Sequence, residues 1–315
     1  MISIKNTLKN GLHVLQQPKW HRLVLACLIT LSLLIAAWVV IRDWSNLKNY
    51  GWQFNWLHLM MSSLSYTLAL FLAIFSWISI MYALNVRISW KIHVQYYIYS
   101  WMARRLPTAV PFVASRVMLY EKVGLARRLT LTGMLWEQIL QVVSGGILII
   151  LMFPFTSIVN GNIPLIPVII TTLIGIILIT QPSLITKGVN YVLIRWGKEP
   201  IRYSLSRNAI LSVFFLYVLL WLMGGFILFF MIHSLYSLEW SILPVVIQIW
   251  TFTGLVGFFS FLVPVSLGLS DISMTALLTL IMPLSVALIV VVLIRVWITA
   301  HEFFWALVFS RYKRG

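Results

Sequence analysis

The chain has 315 residues, of which 61% are hydrophobic and only 10% are charged. Soluble domains carry about 25% charged residues, so this composition excludes a soluble protein and predicts that much of the apolar surface faces lipid. The net charge of +16 would suit nucleic-acid binding, but the 23 Lys and Arg residues lie almost wholly between apolar runs. That distribution favours anionic lipid headgroups and predicts no nucleic-acid partner.

Six apolar runs approach or exceed the length needed to cross about 30 Å of hydrocarbon as helices. They cover 23–41, 57–84, 131–153, 165–180, 209–233 and 284–309, and the fourth is short. We therefore predict an all-α polytopic membrane protein, with residues 1–315 forming a single transmembrane domain. The first run is too long for the apolar core of a signal peptide, so we expect a retained helix.

The basic residues predict the orientation of these helices. Four segments, 1–22, 85–130, 181–208 and the tail from 310, carry four, eight, five and three Lys and Arg residues. The loops expected on the other side, 42–56, 154–164 and 234–241, carry two, none and none. Basic loops stay in the cytoplasm, so we expect a cytoplasmic N-terminal segment 1–22 and both termini inside.

Two further segments, 92–122 and 242–283, are apolar but interrupted by helix-breaking residues. The first is broken at 104–107 and again at Pro111, and the second contains Pro264 and then Gly268. We expect two re-entrant hairpins, the first entering from the cytoplasm and the second from the outer side. A pair of surface helices is the alternative for the first segment, and two full spans the alternative for the second.

Together with their neighbours, the interrupted segments suggest two related halves. Residues 57–153 and 209–309 would each form a helix, a broken hairpin and a second helix, in opposite orientations. This is the layout of an inverted repeat, in which transporters bind substrate between the halves near the bilayer midplane.

A small set of charged residues is predicted to line a polar pathway. A charge at the bilayer centre costs at least about 2.5–3.5 kcal/mol, so such groups face a cavity or one another. Arg295 and Glu302 are seven residues apart, which places both on one helix face. The candidates are Arg105, Arg116, Glu137, Asp271, Arg295 and Glu302. An ion-pair network that only locks helices together is the alternative.

Arg116 lies inside the first interrupted segment, where we expect its guanidinium to meet a lipid phosphate or a carboxylate such as Glu121. No catalytic set is evident. His301 and Glu302 begin like a zinc-protease motif, but Trp305 stands where the second ligand belongs. We therefore predict no metal site, no cofactor and no enzymatic activity.

Three short motifs resemble those of a known family, the transmembrane (flippase-like) domain of lysylphosphatidylglycerol synthases. Residues 105–124 resemble its R-x-L-P-G … G-R … G stretch, and Trp136-Glu137-Gln138 resembles the L-E that begins its next helix. Residues 264–271 are similar to its P-G-G-L-G-x-R-E element, before an apolar run with a lone arginine and an acid. Several positions depart from the family pattern: Thr108, Val265, Ser266 and Ser270 replace Gly, Gly, Gly and Arg.

The resemblance implies a lipid translocase in the bacterial inner (plasma) membrane. It would move an anionic phospholipid or a polyprenyl-linked intermediate between leaflets, and no aminoacyl-transferase domain is expected. One alternative is an accessory subunit whose basic loops dock a cytoplasmic enzyme of envelope biosynthesis. Another is a membrane-embedded lipid-phosphate transferase, with Glu137 or Asp271 as acid or base.

Overall fold

The computed structural model describes residues 54–103, 110–201, 205–260 and 268–310. These residues belong to one unit of the chain and form helices and turns, with no strand among them. The predicted all-α class is confirmed. The predicted first span, 23–41, and the N-terminal segment 1–22 lie outside the described residues.

Ten helices of ten or more residues occur in this part of the chain. In chain order they are α1 (Trp56–Ala83), α2 (Trp90–Met102), α3 (Val110–Glu121), α4 (Arg127–Met152), α5 (Leu165–Thr180), α6 (Pro182–Arg195), α7 (Arg207–His233), α8 (Leu243–Ser260), α9 (Leu269–Leu278) and α10 (Leu284–Ser310).

Five of these helices are long and apolar enough to cross a membrane individually. They are α1, α4 with its extension to Phe155, α7, α8 from Trp240 to Phe259, and α10. The chain is therefore a multi-pass membrane protein. The predicted runs 57–84, 131–153, 209–233 and 284–309 correspond to four of these helices.

The predicted run 165–180 coincides with α5, which has 16 residues and is about 24 Å long. That length is shorter than the hydrocarbon layer. The helix ends before Pro182, since a residue that precedes proline is disfavoured in a helical conformation. Helix α6 follows at an angle of 88°, so the two helices form a broken span or a re-entrant turn.

Each interrupted segment forms two helices, separated by residues outside the described ranges. Segment 92–122 forms α2 and α3, which we call hairpin 1. Segment 242–283 forms α8 and α9, which we call hairpin 2. The limbs of hairpin 2 are unequal: α8 is long enough to span, whereas α9 has ten residues. The structure of this segment thus lies between the two predicted alternatives.

Helices α1 and α7 pack against each other and run antiparallel. The amide of Asn55 donates to the carbonyl of Ser234 at 3.0 Å, and Ser62 Oγ donates to the carbonyl of Ile227 at 3.0 Å. The start of α1 therefore lies beside the end of α7. Gly224 allows α7 to approach α8 closely, because a Cβ there would lie 1.8 Å from Trp250 Nε1.

The two hairpins enter the helix bundle from opposite ends. Hairpin 1 begins beside the end of α1, where the rings of Tyr82 and His93 are 5.9 Å apart. Hairpin 2 begins beside the end of α7, where the rings of Phe229 and Trp240 are 5.1 Å apart. Because α1 and α7 are antiparallel, these two places lie at opposite ends of the bundle.

Charge also distinguishes these two ends. The described Lys and Arg residues, apart from Arg116 and Arg295, lie on the side where α1 ends and α4 begins, which we call the basic end. The opposite side, where α7 ends and α10 begins, we call the charge-poor end. Hairpin 1 enters from the basic end and hairpin 2 from the charge-poor end.

Candidate functional site

Arg295 and Asp271 form an ion pair between α10 and hairpin 2. Arg295 Nε donates to Asp271 Oδ1 at 2.5 Å, and its Nη2 donates to Ser270 Oγ at 3.2 Å. Ser270 Oγ in turn donates to the carbonyl of Thr253 in α8, at 3.0 Å. The pair therefore links both limbs of hairpin 2 to α10.

The backbone before α9 helps to form this site. Gly268 has φ +96°, a left-handed conformation that glycine adopts without strain. The chain turns there and starts α9, which places Asp271 in the first helical turn. Among the candidates proposed from the sequence, Asp271 and Arg295 are thus brought together.

The Arg295–Asp271 pair is partly open although it lies near the middle of a long apolar helix. Arg295 is the twelfth of the 27 residues of α10. Both side chains are 40% exposed. A half-exposed ion pair at this depth requires water, a polar headgroup or a covering polar surface, because contact with hydrocarbon is costly.

Arg116 and Glu137 form a second ion pair, between hairpin 1 and α4. Arg116 Nη1 donates to Glu137 Oε2 at 2.5 Å, and its Nε donates to Ser100 Oγ at 3.0 Å. Tyr97 donates its hydroxyl hydrogen to the other carboxylate oxygen at 3.2 Å. Both charged side chains are 0% exposed, in contrast to the first pair.

Aromatic rings enclose the Arg116 guanidinium. Its central carbon lies 4.5 Å from the ring centroids of Trp77 and Tyr97 and 4.8 Å from that of Phe112. Cation–π attraction from several faces compensates part of the lost hydration. Sequence reasoning missed this cage, because only Tyr97 of its three rings belongs to the aromatic stretch 92–101 and the other two lie on α1 and α3.

The expected partner of Arg116 requires a correction. Its carboxylate partner is Glu137, and Glu121 instead pairs with Arg127 at the surface. Glu121 is the last residue of α3, at the basic end, whereas Arg116 lies more than one helical turn deeper. Arg116 therefore lies at the depth of Glu137 on α4 and too deep to reach Glu121 at the surface.

Glu302 lies with hairpin 1. Trp101 Nε1 donates to Glu302 Oε1 at 3.2 Å, and Glu302 is 7% exposed. It borders a small cavity lined by Tyr66, Leu70, Ile98, Trp101, Glu302 and Trp305. Helix α10 therefore contacts hairpin 2 through Arg295 and hairpin 1 through Glu302, two turns further on. The remaining candidate, Arg105, lies outside the described residues.

A hydrogen-bonded chain supports hairpin 1 from α1. Trp77 Nε1 donates to the Tyr120 hydroxyl at 2.6 Å. Because indole only donates, the Tyr120 hydrogen is directed to His93 Nδ1, 2.7 Å away. Burial lowers the pKa of His93 to about 4, so its imidazole is neutral at pH 7.

The described residues contain no group of three or more His, Cys, Asp or Glu side chains that could hold a metal ion. Comparison with known proteins identifies neither a matching family model nor a matching curated sequence. The resemblance to the lysylphosphatidylglycerol synthase family therefore stays a prediction from short motifs. The function has to be argued from the two ion pairs and the hairpins.

Proposed function

We propose that this protein moves a phosphate-bearing lipid, either an anionic phospholipid or a polyprenyl-linked phosphate, between the leaflets of the inner membrane. The observation that carries the proposal is the half-exposed Arg295–Asp271 pair in the middle of α10. The basic end would face the cytoplasm, as basic loops do.

The chemistry of Arg295 suits a phosphate. Its Nε and Nη2 groups are engaged by Asp271 and Ser270, and Nη1 has no acceptor among the described residues. A planar guanidinium offers paired N–H groups that match two phosphate oxygens. The lipid headgroup would bind here rather than enter hydrocarbon with its charge unpaired.

Asp271 has a separate part in this proposal. It competes with the headgroup for the same guanidinium, so the phosphate binds weakly enough to leave again. Transport sites require this balance, because a group that binds too tightly stays in the site. Asp271 therefore sets the rate of release.

The arrangement of the hairpins supports a route on either side of this pair. Hairpin 2 leads to the charge-poor end and hairpin 1 to the basic end. Helix α10 contacts both, with Glu302 about 10 Å further along its axis than Arg295. A headgroup released from Arg295 toward the basic end would next meet hairpin 1.

Reconstitution into vesicles tests the proposal. Vesicles would contain headgroup-labelled phosphatidylglycerol, phosphatidylcholine or a polyprenyl phosphate. The assay would measure the rate at which the labelled lipid leaves one leaflet for the other. We expect protein-dependent movement of phosphatidylglycerol or of the polyprenyl phosphate but not of zwitterionic phosphatidylcholine, and at least a tenfold lower rate for Arg295→Gln.

Arg127→Gln is the matched control, because it removes an equivalent charge from an exposed ion pair at the basic end. Its rate should equal that of the unchanged protein. Absence of protein-dependent movement for every lipid, with correctly folded protein, would refute the proposed function.

A further inference from the structure

Corresponding pairs of helices are in contact in the two halves of the molecule. Helices α1 to α4 form one set and α7 to α10 the other. Within each set the helix, the two hairpin limbs and the final helix contact one another in succession. Between the sets, α1 packs on α7, α2 contacts α10, and α8 contacts α4. Each contact has a counterpart in the other half.

The match extends to hydrogen bonds between the two limbs of each hairpin. Ser100 is the eleventh residue of α2, and Thr253 is the eleventh residue of α8. Ser100 accepts through its hydroxyl from Arg116, 16 positions later, and Thr253 accepts through its backbone carbonyl from Ser270, 17 positions later. The two halves thus place an acceptor at the same point of the first limb.

The two ion pairs occupy matching positions with the charges reversed. Glu137 is the eleventh residue of α4, and Arg295 is the twelfth residue of α10. Their partners, Arg116 and Asp271, lie on the second hairpin limb, 21 and 24 positions earlier. One half has the arginine on the short limb, and the other half has it on the long helix.

These equivalent pairs differ in exposure. The side chains of Arg116 and Glu137 are 0% exposed, whereas those of Asp271 and Arg295 are 40% exposed. The hairpin 2 pair is therefore accessible in this structure, whereas the hairpin 1 pair is enclosed.

The closed site has hydrogen-bond donors without acceptors. Arg116 Nη2 is buried and has no partner in the described part of the chain, and the same is true of the Tyr217 hydroxyl. Tyr217 lies on α7, which packs against α4, the helix that carries Glu137. Leaving a buried donor unpaired costs about 1–3 kcal/mol. A ligand with hydrogen-bond acceptors could therefore pair with these two donors.

We propose that the Arg116 site is a second, occluded binding site for the phosphate-bearing group that Arg295 binds. It is reached from the basic end when hairpin 1 loosens and hairpin 2 closes, with Arg116 Nη2 and the Tyr217 hydroxyl as donors. This inference rests on the proposed function for its ligand. The two sites open alternately, each closing while the other is open.

A cross-link that holds hairpin 2 in its described conformation tests the alternation. A Cβ at Gly257 would lie 3.5 Å from Ser270 Cβ, within the range that a disulfide requires. The test protein carries Gly257→Cys and Ser270→Cys, with Cys27→Ser to remove the native thiol. Ser100→Cys, beside Arg116, is the reporter for an impermeant thiol reagent, and its labelling is measured by mass spectrometry of the peptide that contains residue 100, so that modification of the hairpin 2 cysteines is not counted.

With the hairpin 2 cysteines reduced, we expect slow labelling of the Ser100→Cys thiol from the basic end only. Oxidation to the disulfide should lower that rate at least tenfold, and reduction should restore it. Two results would overturn the proposal. One is no labelling in either state, as for a permanently sealed pair. The other is a labelling rate that is equal in the reduced and the cross-linked protein.

The ligand is tested in the reduced protein, in vesicles of phosphatidylcholine alone, with added inorganic phosphate, or with phosphatidylglycerol. Slower labelling with phosphatidylglycerol assigns a lipid phosphate, and slower labelling with inorganic phosphate assigns the free ion. Protection by neither contradicts a second phosphate site. Hydrogen–deuterium exchange of residues 110–121 in the unsubstituted protein, slowed by the same ligand, gives an independent measurement.

These results also separate the inference from the proposed function. Alternating accessibility without lipid movement would retain the two-site arrangement and remove the lipid translocase. Lipid movement with the Arg116 site inaccessible throughout would retain the lipid translocase and remove the second site.

Discussion

Glu137→Gln is the substitution that most directly tests how hairpin 1 is held in the bundle. The change keeps the size of the side chain but removes the negative charge that faces Arg116. The guanidinium is then a buried cation with no compensating carboxylate, because both side chains are fully enclosed. We expect a large loss of stability, with hairpin 1 separating from α4 before the other helices unfold.

The size of this loss follows from the burial of the pair. Removing one partner of a buried ion pair costs about 3–5 kcal/mol. For a chain of this size class, each kcal/mol lowers the melting temperature by about 2–4 °C, which gives a decrease of about 6–20 °C. Asp271→Asn removes an equivalent charge from a half-exposed pair, whose arginine can still reach water or a polar headgroup, and should cost less than Glu137→Gln.

Thermal unfolding in detergent, followed by tryptophan fluorescence, measures both values. Trp77 lies against Arg116, but it is one of 15 tryptophans, so the emission reports on unfolding of the whole helix bundle. The double variant Arg116→Met, Glu137→Met removes both charges and should recover most of the stability lost by Glu137→Gln. Equal melting temperatures for Glu137→Gln and Asp271→Asn would refute the reasoning from burial.

Three further substitutions have expected outcomes that thermal unfolding would measure. Tyr97→Phe keeps the ring over the guanidinium and removes one hydrogen bond to the buried carboxylate, so it should cost about 0.5–1.5 kcal/mol. A loss as large as that of Tyr97→Leu would contradict this separation of ring and hydroxyl. Gly224→Ala would place a methyl group against Trp250 and should destabilise the α7–α8 contact, whereas Gly188→Ala, in open space within α6, should be neutral or stabilising. The low pKa of His93 lies below its unfolded value of about 6.5, so its contribution is complete above that pH and is lost as the pH falls toward 4. His93→Gln should flatten the dependence of melting temperature on pH in this interval, and an unchanged slope would exclude His93 as its source.

The sequence predicts the long helices well because a change in residue polarity marks where each of them ends. Continuous apolar runs end at polar or basic residues, and the predicted 57–84 and 209–233 lie within two residues of the observed helix ends. Helix α6 was missed because 182–195 is too polar to be recognised as a span and begins with a proline. The unequal limbs of hairpin 2 were not predicted, since its first limb has no charge to mark where it ends.

The candidate site was only partly predictable, for a related reason. Buried charges can be recognised individually in an apolar sequence, and this identified Arg116, Glu137, Asp271 and Arg295. Their partners depend on which helices are neighbours. Arg116 and Glu137 are 21 residues apart, and Trp101 and Glu302 are 201 residues apart. No local periodicity relates residues so distant in the chain, so the choice of Glu137 over Glu121 required the fold.

The reversed polarity of the two ion pairs has a mechanical consequence for the proposed alternation. Replacing a buried ion pair by apolar side chains is often neutral for stability, so helix locking alone gives little reason for the buried Arg116–Glu137 pair. In hairpin 2 the acid lies on the short limb, so a movement of α9 shifts Asp271, whereas Arg295 stays on α10. In hairpin 1 the arginine lies on the short limb, and opening carries Arg116 away from Glu137. A bound phosphate would stay with α10 in the first case and move with α3 in the second. The two sites thus occupy corresponding positions but differ in the helix that carries the bound phosphate. This difference would give the transfer of phosphate between the two sites a direction.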